Sequence, residues 1–102
     1  MGLIVRRRVA LNMIVWRVND PESITLDIAA AIGPAVRRHR ELVRLSQDEL
    51  GARAGVDRTY VGQVERGRRN PTMVSLQRIA HGLGIELDVL VATAREIAAG
   101  RD

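Results

Sequence analysis

The sequence contains no cysteine, no phenylalanine and no lysine, and it has a single tryptophan, Trp16, and a single tyrosine, Tyr60. Without cysteine there is no disulfide scaffold and no thiolate metal site, which fits a reducing cytoplasm. The two histidines, His39 and His81, are too few and too far apart for a metal centre. No cofactor is expected. With two aromatic residues in the chain, the core has to be built from Leu, Ile, Val and Ala. No apolar run approaches the ~20 residues of a membrane span, so no membrane partner is expected. The opening stretch "MGLIVRRRVALNMIVWRV" has no uninterrupted apolar segment after its arginines and no clear cleavage site, so it reads poorly as a signal peptide. Catalytic patterns are missing too: no nucleophile–base pair stands out, and the adjacent Asp48 and Glu49 read as acids at a helix N-terminus. An enzyme is not expected.

What is present suits one folded domain. The chain has 102 residues, 46% of them hydrophobic, enough for a modest core. All sixteen basic residues are arginine, and the net charge is +4. The charge is uneven: +3 over residues 1–20, −2 over 21–30, +4 over 31–69 and −1 over 70–102. A basic centre built from planar guanidinium forks suits a polyanion, phosphate or guanine edge. Basic solvated surfaces are common, so charge alone does not decide the matter.

Residues 1–18 mix β-branched residues with the cluster Arg6 to Arg8, which favours a strand although the alternation is imperfect. "NDPES" is a break. Asp27 could cap a helix with apolar positions Ile28, Ile32, Val36 and Val43. Gly33-Pro34 interrupts that pattern, and the proline prefers a first turn, which would put the helix start nearer Gly33. "SQDE" is a capping box, with Ser46 as cap and Glu49 reaching back. Leu50 and Ala54 share one face, and Gly55 stops the helix. A short helix follows from Asp57 to about Arg66. "RRNPT" is a loop, Thr72 or Pro71 opens a fourth helix, and Gly84 ends it. Leu87, Leu90 and Val91 mark a fifth, which "AREIAAG" could extend toward Gly100. The domain reads as all-α, with an N-terminal arm over 1–27 that is strand-like or flexible and a five-helix domain over 28–102.

Two short helices across the turn Gly55-Val56-Asp57 describe a helix-turn-helix over residues 46–66. The second packs through Val61 and Val64, which leaves Arg58, Thr59, Gly62 and Gln63 outward. At this point "LSQDELGARAGVDRTYVGQVERGRRNPTMVSLQRIAHGLGIELDVLV" resembles the Xre/Cro family of helix-turn-helix regulators. "DRTYV" followed by "ERGRRNPT" further resembles restriction-modification controller proteins.

The resemblance implies a lambda-repressor-like DNA-binding domain and a role for each matching residue. Asp57, Arg58, Thr59 and Gln63 match positions that face base edges. Arg58 is suited to guanine O6 and N7, and Gln63 to adenine or a phosphate. Asp57 also reads as the N-cap of its helix. Gln47, Arg66, Arg68, Arg69 and Asn70 match phosphate contacts. Tyr60 is either half-core or a phosphate contact. Arg40 and Glu65 match an internal salt bridge. His39 replaces an apolar core residue and is expected to be packed and hydrogen-bonded. Arg44 stands where a turn glycine is common, and Gly62 is unusual in mid-helix. The fifth helix, through Leu87, Leu90 and Val91, is either core or the dimerisation surface that the family often uses.

Two functions follow from this reading. The first is a homodimeric transcriptional regulator that binds double-stranded DNA at a palindromic operator in the cytoplasm. The second is an antitoxin whose residues 1–30 or last helix also bind a toxin protein.

Overall fold

The computed structural model describes residues 21–100, with side chains from residue 28. The strand-like reading of residues 1–18 lies outside the described residues. Among these, five helices form the fold: α1 (Pro21–Leu42), α2 (Gln47–Ala54), α3 (Arg58–Glu65), α4 (Met73–Leu83) and α5 (Leu87–Ala98). No strand occurs among them.

The helix ends follow from local chemistry. Ser46 Oγ accepts from the Glu49 N–H at 3.0 Å, and Glu49 Oε1 accepts from the Ser46 N–H at 2.8 Å, so the capping box is complete. Gly55 leaves α2 with φ 73°, in the left-handed region. Thr72 caps α4 by accepting from the Ser75 N–H at 3.0 Å. α1 ends in a Schellman motif: Leu45 N–H donates to Arg40 O at 3.0 Å, and Arg44 N–H to Glu41 O at 3.1 Å. The left-handed residue there is Arg44, with φ 60°. Glycine would hold that conformation without the ~1–2 kcal/mol penalty of a side chain.

α1 differs from the expected helix. It begins at Pro21 and runs through Gly33-Pro34, so Asp27 is an internal position and residues 21–27 are helical. Pro34 lies on the exposed side, whereas Ala31, Ile32, Ala35 and Val36 on either side of it are buried. Apolar packing on both sides holds the helix together across the missing hydrogen bond. At Gly33 the backbone of α3 approaches so closely that a Cβ would lie 2.5 Å from Val64 O and 2.6 Å from Glu65 O. Beyond the last buried turn, Val43 is 48% exposed and does not join the core.

The core is aliphatic. Leu50, Ile79, Leu90, Val36, Val61 and Val64 are its largest fully buried side chains. α1 packs most extensively on α5, and α2 packs on α4 and α3. In the turn between α2 and α3, Val56 is partly buried and packs against this core. Leu90 is fully buried within the subunit, which corrects its assignment to a dimer surface. Leu87 and Val91 beside it are partly exposed.

Candidate nucleic-acid interface

α3 has one locked face and one open face. Val61 and Val64 are buried, while Asp57, Arg58 and Thr59 are exposed at its start. Arg58 makes no hydrogen bond or ion pair among the described residues. Asp57 occupies the N-cap position, but its carboxylate accepts no capping hydrogen bond. The expected cap is therefore one of position only, and the carboxylate stays solvent-facing. Gln63 is half-buried one turn further on. Arg66, Arg68, Arg69 and Asn70 follow on an exposed loop.

Behind α3 a charged network fixes its far end. Arg40 Nε donates to Glu65 Oε2 at 2.6 Å, and Arg40 Nη2 donates to Glu65 Oε1 at 3.0 Å. The third donor, Nη1, reaches Leu45 O at 2.8 Å. The side chains are 13% and 3% exposed, so this is a buried bidentate pair tying α1, α3 and the first turn together. Its hydrogen bonds to Glu65 raise the Arg40 pKa further above its already high ordinary value. Removing one partner of such a pair strands a buried charge, at a cost of about 3–5 kcal/mol.

Gln47 joins the same network. Its Nε2 donates to Glu65 Oε1 at 3.1 Å, so one amide hydrogen that was expected to meet a phosphate is engaged inside the protein. Gly62, expected to face outward, is buried. A Cβ there would lie 3.2 Å from Arg66 Nη1 and 3.3 Å from Gln47 Oε1. The glycine lets those two side chains close over α3. A small residue in mid-helix was the only sequence signal for this contact.

Tyr60 is half-buried against the core. The Arg69 guanidinium sits 5.1 Å from its ring centroid, and Arg69 Nη1 lies 3.4 Å from Gln63 Oε1. Arg69 thus folds back over α3, a contact that spacing in the sequence could not reveal. His39 is packed, as expected, between α1 and α5. The Thr93 hydroxyl donates to Val89 O at 3.1 Å, so His39 Nε2–H donates to Thr93 Oγ1 at 2.8 Å. Burial, with the charge of Arg38 adding to it, lowers the His39 pKa. No group of three or more His, Cys, Asp or Glu suited to a metal occurs among the described residues. No described helix is long and apolar enough to cross a membrane.

Two short helices across a left-handed turn, the second with an open polar face and a basic loop behind it, define a helix-turn-helix module. Residues 36–90 match the family model described as Helix-turn-helix. Over 75 residues the chain is 36% identical to an uncharacterized HTH-type transcriptional regulator, y4dJ, of Sinorhizobium fredii, covering 74% of this chain and 97% of the relative. It is 40% identical over 65 residues to the control protein C.MunI of a Mycoplasma species, covering 63% of this chain and 88% of that protein. The crystal structure of the restriction-modification controller protein C.AhdI from Aeromonas hydrophila superposes with a TM-score of 0.59 at 40% identity, covering 61% of this chain and 94% of that one. The chain belongs to the Cro/C1-type helix-turn-helix family of DNA-binding transcriptional regulators, which is not an enzyme family. The names of these relatives speak of regulators and control proteins, and they give the antitoxin reading no support.

Proposed function

We propose that the chain is a homodimeric, cytoplasmic regulator that reads a palindromic operator in the major groove and controls its own synthesis. The observation that carries this reading is Arg58: exposed, without a side-chain partner among the described residues, and placed on the first turn of a helix whose other face is locked into the core. A guanidinium there can donate two hydrogen bonds to guanine O6 and N7. Thr59, Gln63 and the Asp57 carboxylate, which caps nothing, supply further base contacts. Arg66, Arg68 and Asn70 supply phosphate contacts, joined by the second amide hydrogen of Gln47 and the Tyr60 hydroxyl; Arg69, expected among them, is folded back over α3.

Residues 28–102 form the DNA-binding unit in this reading, and 1–27 precede it as an arm whose last seven residues are the first turns of α1. The dimer surface is assigned to α5 through Leu87 and Val91, with Val89, 42% exposed, in place of Leu90. The names of the control proteins C.MunI and C.SmaI among its relatives favour a controller.

The test is selection from random duplex DNA, followed by titration at two salt concentrations. A palindromic winner bound far more tightly than random duplex is expected. Arg58→Ala should cost about 1–3 kcal/mol on that winner and relax one base position. Arg68→Ala should weaken all duplexes alike and make the salt dependence shallower. A uniform loss for Arg58→Ala would count against base reading by that residue.

A further inference from the structure

Arg69 belongs to the loop after α3, a place from which it could reach a phosphate. Its guanidinium instead bridges two side chains of α3, the Tyr60 ring at 5.1 Å and Gln63 Oε1 at 3.4 Å. Tyr60 and Gln63 are three residues apart and neighbours on one helix face, so a single planar group can meet both. A guanidinium carries five donors and no acceptor. The amide atom that faces it must therefore be the Gln63 carbonyl, which turns the Gln63 NH2 group away from Arg69.

That orientation decides what Gln63 can read. Pairing with adenine needs both ends of the amide, the carbonyl on N6–H and the NH2 on N7. Guanine presents two acceptors, N7 and O6, which the NH2 group alone can meet. Resting on the reading that α3 enters the major groove, we propose that Arg69 is a positioning residue: it occupies one lone pair of the Gln63 carbonyl and leaves the NH2 group foremost, so that Gln63 prefers guanine to adenine. The sequence left adenine or a phosphate open for this glutamine. The loop contact favours guanine without touching a base.

The test uses the full chain and the operator obtained by selection. Wild type, Arg69→Met, Gln63→Ala and the double variant are titrated against the operator and its single-base variants. Arg69 is exposed, so its substitution leaves the core untouched. In wild type, the position whose preference disappears with Gln63→Ala carries guanine. Arg69→Met lowers the guanine-to-adenine affinity ratio there about tenfold, within the range of one bidentate contact. In the Gln63→Ala background the same substitution leaves that ratio unchanged. The uniform loss from one fewer positive charge cancels in the ratio.

Three outcomes overturn the proposal while leaving the operator reading intact: adenine at the Gln63-dependent position, no Gln63-dependent position at all, or Arg69→Met weakening every duplex by one factor with the ratio unchanged. The last would return Arg69 to a phosphate. Enrichment of no sequence by wild type would overturn the operator reading, and the proposal with it.

Discussion

Gly62 sits at the centre of α3, where helix propensity alone makes it costly by about 1 kcal/mol relative to alanine. The atoms that a Cβ would meet are the tips of Arg66 and Gln47, at 3.2 and 3.3 Å, not backbone. Such tips can move. Gly62→Ala is therefore expected to stabilise the fold by up to about 1 kcal/mol in denaturant unfolding, while displacing Gln47 and Arg66 and weakening DNA binding. A second residue, His39, gives the fold a pH dependence. Its folded pKa lies below its unfolded value of about 6.5, so neutral His39 contributes stability that is whole above that pH and lost as pH falls through the folded pKa. The thermal midpoint should fall between pH 7.5 and 5.5, and His39→Gln should flatten that slope. At this scale sequence and structure agree unevenly. The Arg40–Glu65 pair was legible only through the family resemblance, and the packed His39 because it stands where that family has an apolar residue. The engagements of Gln47 and Arg69 were not, since the tip of a long side chain lands where tertiary packing puts its partner.

Helix ends were the most legible feature of the chain. Ser46, Gly55, Thr72 and Gly84 act through backbone groups a few residues away, so their chemistry is written locally. Pro34 misled for the opposite reason. Its local effect is to break a helix, and burial of Ala31, Ile32, Ala35 and Val36 overrode it. Leu90 shows a different ambiguity. An apolar stripe on a helix has the same spacing whether it faces a core or a partner subunit, and only the placement of α1 against α5 decides. The two roles make opposite demands on mutation. Leu90→Ala should cost about 2–5 kcal/mol of stability at any protein concentration. Val89→Ala should leave the monomer nearly as stable and shift the monomer–dimer equilibrium, measured by sedimentation.

For the whole molecule, the positive excess of residues 31–69 is shared unevenly: +3 lies over residues 31–45, at the end of α1 and the turn after it, and +1 over residues 46–69, the helix-turn-helix and its loop. A two-fold dimer of such modules places two copies of α3 about 34 Å apart, one turn of DNA. Half-site spacing then becomes a geometric requirement. Inserting five base pairs between half-sites rotates one by half a turn, so binding should fall to the level of a single half-site, whereas inserting about ten should restore part of it. Independent, monomeric binding would make affinity indifferent to both insertions.

Tyr60 is the chain's one tyrosine, and it stands beneath Arg69 on the side of α3 that carries Gln63. A protein grown with isotope in tyrosine alone would show one ring in its nuclear magnetic resonance spectrum. That ring lies in the stack between loop and helix, so the molecule carries its own reporter. A duplex that draws Arg69 off toward a phosphate would shift the ring signal abruptly. One that leaves the stack in place would shift it little, and the loop could be followed without attaching any probe.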